Sequence, residues 1–313
     1  MTADFTKLNA STALRSALAA PSIARVVGVH DALSSRVAQL TDCDALWASG
    51  LGIAASHGTP DASVLTMSEV RDATAVIVRA SRLPVICDCD TGFGDVRMLR
   101  RVVAEFETAG AAAVCLEDKQ YPKRNSYLPG QLLLDPWEFA AKVQIAKESQ
   151  GASEFMVFAR LESLIAGAGM QDALARGKLY ADAGADALLV HSKAPTADEV
   201  LEFAANWHRE GHETPLVVVP TTYAGTSSAE LEAGGLDMVI YANQALRASV
   251  RAMTDVLNEI QRHGSSGPVE ADLAPVSAIF GLTGEDAVRE DEDRFQELVN
   301  KRREAWHAAP VTT

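Results

Sequence analysis

Short runs of apolar, often β-branched residues bounded by polar ones recur along the chain: Arg25 to His30, Ala45 to Ser49, Val85 to Asp90, Ala112 to Glu117, Phe155 to Arg160, Ala187 to His191, Leu216 to Pro220 and Met238 to Tyr241. Each reads as a strand. The segments between them carry helical spacing instead, as in Leu99, Val102, Val103 and Phe106. The stretch from Ser68 to Ala80 is entered through a capping box at Thr66 and Glu69, and a second box, Thr196 with Glu199, is expected to open the helix after the sixth strand. A weak repeat supports the count. In AGAAAVCLE, AGADALLVH and GGLDMVIYA a glycine that closes a helix is followed at once by a buried strand.

Eight strands alternating with helices over roughly 250 residues fit a (β/α)8 TIM-type barrel better than a doubly wound sheet, which more often has about five to seven strands. The expected class is therefore α/β, with the barrel in residues 1–264. After Ile260, HGSSGPVEADLAP reads as a linker, and Val276 to His307 as one or two helices, strongly charged beyond Glu285, so that residues 265–313 form a C-terminal extension. Apolar Val276, Ile279, Phe280 and Leu282 in it need a surface to cover.

Such a barrel places its chemistry at the C-terminal ends of the strands. Polar residues stand there in this chain: His30 and Asp31, Ser49 and Gly50, Asp88 and Asp90, Glu117 and Asp118, Arg160 and Glu162, His191, Thr221 and Thr222, and Asn243. In VICDCDTGFGD, Asp88 and Asp90 are two apart, so both side chains face the barrel mouth while Cys87 and Cys89 face the helices. Glu117 adds a carboxylate from the neighbouring strand. Converging carboxylates repel one another unless a cation sits between them, and oxygen donors without Cys or His point to Mg²⁺, with Mn²⁺ as a substitute. The plainer reading is that an aspartate only caps the turn around Gly92 and Gly94.

ASGLGIAAS matches a dinucleotide fingerprint formally at Gly50, Gly52 and Ala55, but Asp61 comes far too early for a ribose ligand about 20 residues on. What remains is either a tight strand-to-helix turn or a loop offering the Gly50 and Leu51 N–H groups, with the Ser49 hydroxyl, to a carboxylate or phosphoryl oxygen. Arg160 closes an apolar strand, where a charge is costly unless paired. It is either a substrate ligand or the ion-pair partner of Glu162. His191 is either a ligand or a satisfied core histidine.

Composition narrows the setting. The chain has 313 residues, 48% apolar and 6% aromatic, enough for a large aliphatic core. A formal charge of −14 argues against nucleic acid and anionic membrane surfaces, so an anionic substrate must be met by local positive groups. No run of about 18 apolar residues exists, and MTADFTKLNAS lacks the basic and apolar regions of a signal peptide, which leads to the expectation of a cytoplasmic protein. Cys43, Cys87, Cys89 and Cys115 lie in apolar runs without C-x-x-C spacing and are expected to be free, buried thiols.

EDKQYPKRNS (Glu117 to Ser126) gives the specific signal. E-D-K, five residues, then N-S resembles the active-site loop of the phosphoenolpyruvate phosphonomutases, in the isocitrate lyase/phosphoenolpyruvate mutase superfamily. The likeness continues in LWASGLGIAAS, DCDTGFGD, ARLESLIAG, DALLVHSK, VVVPTTY and IYANQALRASV, in order. The K-K/R-C-G-H loop of the isocitrate and methylisocitrate lyases is absent. The resemblance implies that Asp88 is the direct Mg²⁺ ligand and that Asp90 and Glu117 hold its waters. It implies that Trp47, Ser49, Gly50 and Leu51 line the substrate pocket, and that Asp61 is a nucleophile or an electrostatic guide for a migrating phosphoryl group. Lys123, Asn125 and Ser126 would belong to a lid, and Arg160 and His191 would hold anionic groups of phosphoenolpyruvate or phosphonopyruvate. The terminal barrel helix would be exchanged between subunits of a homodimer or homotetramer.

The rival within the resemblance is phosphonopyruvate hydrolase, whose lid typically has Thr where this chain has Asn125. Another C–C lyase or hydrolase of the superfamily is a further alternative, and a non-catalytic scaffold barrel a remote one.

Overall fold

The computed structural model describes residues 7–308. Eight parallel strands, β1 (Ala24–Val29), β2 (Ala45–Ala48), β3 (Val85–Asp88), β4 (Ala113–Glu117), β5 (Met156–Leu161), β6 (Ala187–Val190), β7 (Leu216–Val218) and β8 (Met238–Tyr241), close into a barrel in sequence order, β8 pairing with β1. Helix α1 (Lys7–Leu18) precedes β1. Between strands run α2 (Ala32–Ala38), α3 (Gly50–Ser56) and α4 (Met67–Ala80), α5 (Val96–Ala109), α6 (Pro136–Glu148), α7 (Ser163–Ala166) and α8 (Met170–Asp182), α9 (Asp198–Arg209) and α10 (Ser228–Ala233). After β8 come α11 (Gln244–His263), α12 (Val276–Thr283) and α13 (Glu285–Ala308). The expected barrel is the fold found.

Strand alternation divides the core in two. Ile86, Cys115, Phe158, Leu189, Val217 and Ile240 fill the barrel interior together with Leu14 and Leu18 of α1. The intervening positions, among them Cys87, Val114, Val157 and Leu188, pack outward against Val102, Phe106, Phe139, Tyr180 and Phe203 of the helices. Arg15 anchors α1 through the carbonyl of Glu154 at 2.9 Å and Asp186 Oδ1 at 2.9 Å. The glycines of the repeat, Gly110, Gly184 and Gly235, all have φ between +85° and +97°, a conformation in which a side chain is strained.

Three details depart from expectation. The third strand ends at Asp88 rather than Asp90, because Asp90 turns into left-handed backbone at φ +50°. The Thr66–Glu69 box forms, but the Thr196–Glu199 box does not. Helix α9 begins at Asp198 behind Ala197, which leaves Glu199 one position short of the third helical residue that a box requires. Ser192 takes the Glu199 carboxylate and Thr196 bonds Asp198 at 2.9 Å. All four cysteines are free, but Cys43 is only half-buried, since its residue lies outside the strands.

The chain divides into two compact units, one up to Arg251 and one from Ala252 onward. Among the described residues no helix is long and apolar enough to cross a membrane.

Candidate active site

The strand ends that carry carboxylates stand side by side. Asp88 of β3 is in register with Cys115 of β4, and the Glu117 N–H donates to the Asp90 carbonyl at 2.8 Å, which sets the two acidic tips level. Asp88 and Glu117 are almost wholly buried, at 7% and 2% exposure, so their charge must be balanced locally. Gly50, at the head of α3, lets them crowd together. A Cβ there would stand 3.1 Å from Asp88 Oδ2 and 3.3 Å from Asp90 Oδ1. Its N–H reaches Asp88 Oδ2 at 3.4 Å. Helix α5 is capped by Asp95, not by Asp88 or Asp90.

The segment that leaves β4 returns over this cluster as a lid. Lys123 drops its ammonium between two carboxylates, 2.6 Å from Asp61 Oδ1 and 2.6 Å from Asp90 Oδ1. The Asn125 amide donates to the other oxygen of Asp61 at 2.8 Å. Burial opposes ionisation of Asp61, but Lys123 and Asn125 outweigh it and hold its carboxyl below the usual range. Asp90 goes the other way. Burial, reinforced by Asp88, Glu117 and Asp61, pushes it up to about 7 against the pull of Lys123. Burial likewise raises Glu117, against Lys119 and Arg160.

Opposite the lid, Glu162 organises the positive groups. One of its oxygens meets Arg160 Nε and His191 Nδ1, the latter at 2.7 Å. The other accepts from the Ser126 hydroxyl at 3.0 Å and lies 3.1 Å from Lys119 Nζ. Burial of Glu162 is more than offset by Arg160 and His191, and its carboxyl falls well below the ordinary range. Burial lowers the pKa of His191, and Arg160 adds to this against Glu162, which keeps the ring neutral. Arg160 is thus both the partner of Glu162 and a wall of the cavity, where its guanidinium also reaches Ser126 at 3.2 Å and His191 at 2.9 Å.

These walls enclose a cavity of about 60 Å³. Trp47, Ser49 and Leu51 line it from β2 and α3, Asp88 from β3, and Arg160, His191 and Asn243 from later strand ends. Asp61, Lys123, Asn125 and Ser126 close it from above. Gly50 and Asp90 stand beside it, in a smaller hollow shared with Asp61 and Asp88. Glu117 does not line it but lies 3.7 Å from Lys119 and 3.6 Å from Arg160, which do. Ser49 caps α3 by accepting the Gly52 N–H at 3.2 Å, which leaves its own hydroxyl proton to donate elsewhere.

The donor set suits a hard divalent cation. Glu117 Oε1 is buried without a hydrogen-bond partner, and both contacts to the Asp88 oxygens are long at 3.4 Å. Among the described residues, however, no three His, Cys, Asp or Glu side chains form a closed cage. The carboxylates share the mouth without all converging on one point, which suits a cation bound directly through one of them and through water to the rest.

Residues 14–261 match the profile of the family described as phosphoenolpyruvate phosphomutase. The chain belongs to the phosphoenolpyruvate phosphomutase family. It is an enzyme fold of the isocitrate lyase/phosphoenolpyruvate mutase superfamily, and a hydrolase and a phosphomutase resemble it almost equally. It is 38% identical to the phosphonopyruvate hydrolase of Variovorax sp. (strain Pal2), over 90% of this chain and 98% of that protein. It is 37% identical to the phosphoenolpyruvate phosphomutase of Streptomyces hygroscopicus, over 93% and 92%. The crystal structure of the phosphoenolpyruvate phosphomutase of Streptomyces platensis subsp. rosaceus superposes with a TM-score of 0.89 at 43% identity, covering 91% of this chain and 99% of that one. A phosphonopyruvate hydrolase crystallised with oxalate and Mg²⁺ superposes with 0.86 at 37% identity, covering 93% and 100%.

For this phosphomutase-family site, sequence reasoning passed over Lys119, Tyr127, Val219 and Ala242, all of which line the cavity. Lys119 carried a signal, a lysine inside E-D-K directly after a buried strand. Val219 and Ala242 carried none, since only closure of the barrel brings β7 and β8 to the wall.

Proposed function

We propose that this protein interconverts phosphoenolpyruvate and 3-phosphonopyruvate by Mg²⁺-assisted intramolecular phosphoryl migration, which makes it an isomerase that forms a C–P bond. The PO₃ group leaves the enol oxygen, pyruvate enolate is released in place, and the enolate C3 takes up the phosphorus. The O–P bond breaks, the C–P bond forms, and no proton or water enters the balance. Such a transfer passes through a loose, metaphosphate-like state, so it needs positioning, charge neutralisation and exclusion of water more than a strong base.

The observation that carries the reading is the state of Asp61. Lys123 engages one oxygen at 2.6 Å and Asn125 the other at 2.8 Å. A carboxylate so held is an ionised electrostatic guide, poorly placed to take a proton from water as a hydrolase would require. In this proposal Asp88 would hold Mg²⁺ directly, and Asp90 and Glu117 would hold it through water. When bound, the ion supplies positive charge to the carboxylate and enolate oxygens. Ser49, with the N–H groups of Gly50 and Leu51, binds the substrate carboxylate end. Arg160, His191, Lys123, Asn125 and Ser126 surround the migrating group, and Trp47 forms an apolar wall. The phosphonate product would feed phosphonate biosynthesis in the cytoplasm through a coupled later step, because the C–P compound is the less stable isomer.

Hydrolysis of phosphonopyruvate to pyruvate and phosphate is the second reading, favoured by the 38% identity to the Variovorax hydrolase. Incubation with phosphonopyruvate and Mg²⁺, followed by phosphorus NMR, separates the two. Accumulating phosphoenolpyruvate supports the mutase, whereas inorganic phosphate with pyruvate would replace it by the hydrolase.

A further inference from the structure

The lid begins at Asp118 and ends at Leu134, and its two ends form a short antiparallel stem. The Leu134 N–H donates to the Asp118 carbonyl at 2.9 Å, the Gln120 N–H to the Leu132 carbonyl at 2.9 Å, and Lys119 bridges Leu133. Helix α8 grips this stem from outside the barrel wall. One nitrogen of Arg176 donates both to Asp118 Oδ2 at 3.2 Å and to the Leu134 carbonyl at 2.9 Å, so a single guanidinium holds the entry and the exit of the lid. Tyr180, one turn later, donates its hydroxyl to the same Asp118 oxygen at 2.8 Å and lies 3.0 Å from Arg176. The remaining oxygen of Asp118 accepts the Glu162 N–H at 2.9 Å.

None of these three side chains lines the reaction cavity, and all are buried. Burying an aspartate and an arginine is expensive, and apolar residues of like volume would fill the space at lower cost. A saturated polar network fixes a geometry that apolar packing leaves looser. What it fixes here is the base of the lid together with Glu162, the residue that holds Arg160, His191, Lys119 and Ser126.

We propose that Asp118, Arg176 and Tyr180 form a clamp that sets the closed position of the lid and, through Glu162, the alignment of the phosphoryl-binding wall. They are positioning residues. The product readout of this inference rests on the phosphoryl-migration reading, since a loosened lid lets water capture a group that should recombine with the enolate; the exchange readout does not.

The test compares Tyr180→Phe, Arg176→Lys and Arg176→Met with the wild-type protein, each saturated with Mg²⁺ and oxalate as the probe. Amide hydrogen exchange is expected to accelerate at least about fivefold across residues 119–133 in Tyr180→Phe, as loss of one buried hydrogen bond implies, while the barrel strands keep wild-type protection. Arg176→Lys, which keeps the charge but a single donor nitrogen, should fall between wild type and Arg176→Met. The share of inorganic phosphate formed from phosphonopyruvate should rise in the same order, with kcat for phosphoenolpyruvate formation falling more than KM changes. Wild-type exchange in the lid of folded Tyr180→Phe and Arg176→Lys would overturn the clamp and reduce the network to core filling. Should Arg176→Met fail to fold, Tyr180→Phe decides alone. Should even the wild-type protein form no phosphoenolpyruvate, the migration reading fails and lid exchange still decides the clamp.

Discussion

In the proposed reaction Asn125 is the residue that separates mutase from hydrolase, because its amide occupies the one Asp61 oxygen that Lys123 leaves open. Asn125→Thr shortens the side chain and withdraws the N–H donor. The fraction of phosphonopyruvate appearing as inorganic phosphate should then rise severalfold by phosphorus NMR, and an unchanged product ratio would remove Asn125 as the discriminator. Asp88→Ala should abolish Mg²⁺ binding measured by calorimetry while the far-UV circular dichroism stays that of the wild type. Retained binding would displace Asp88 as the direct ligand. His191 provides a pH signature. Burial lowers its pKa in the folded protein, whereas the unfolded chain takes up the proton near the ordinary histidine value of about 6.5. The stability tied to the neutral ring is therefore fully present above about pH 6.5 and is lost as pH falls from there toward the lower folded pKa. Thermal melts between neutral and acidic pH should show a shallower decline in His191→Gln than in the wild type. Asp88 and Glu117 were legible in the sequence as the polar ends of apolar strands, whereas the period of two does not place Asp90, which leaves β3 in left-handed backbone at φ +50°. The ammonium of Lys123 beside Asp90 was not legible either. Its place depends on how the lid folds back, and no local pattern encodes that.

At the scale of elements, closure of the barrel depends on the seam between β8 and β1. Gly28 lies in β1 where the carbonyl oxygen of Ala242 passes so close that a Cβ would meet it at 2.0 Å. Gly28→Ala forces backbone apart at the seam and should destabilise the protein by about 1–3 kcal/mol or more, as overpacking of a tight core does. Urea denaturation would register this as a lower midpoint at unchanged slope, and a wild-type midpoint would show that the seam yields at little cost. The elements themselves could be read from the chain because apolar periodicity is a local property, and β8 spans the expected Met238–Tyr241. Capping was legible only where the register was local too. Thr66 and Glu69 satisfy one another across α4, whereas Thr196 and Glu199 lost their partners to Asp198 and Ser192, the latter fixed by the end of β6.

The whole molecule carries a charge of −14, yet Lys119, Lys123 and Arg160 converge at its mouth, so the field that greets an anionic substrate is set locally rather than by the sum. The unit from Ala252 onward exposes Met253, Leu257, Val276, Ile279 and Phe280, an apolar display larger than scattered surface residues explain. We propose that it is covered in a homodimer or homotetramer, by helix exchange between subunits. Sedimentation at micromolar concentration should show a dimer or tetramer, and a stable monomer would end the idea. By itself the sequence determined the eight-stranded barrel and the end of it at which buried acidic residues gather, because alternation and helical spacing are written in neighbouring positions. Only the tertiary structure decided that Asn125 meets Asp61 across 64 positions and that Arg176 meets Asp118 across 58. Such contacts arise when the closed barrel and the folded lid bring distant segments within hydrogen-bond reach, and their strength depends on the burial that the same closure creates.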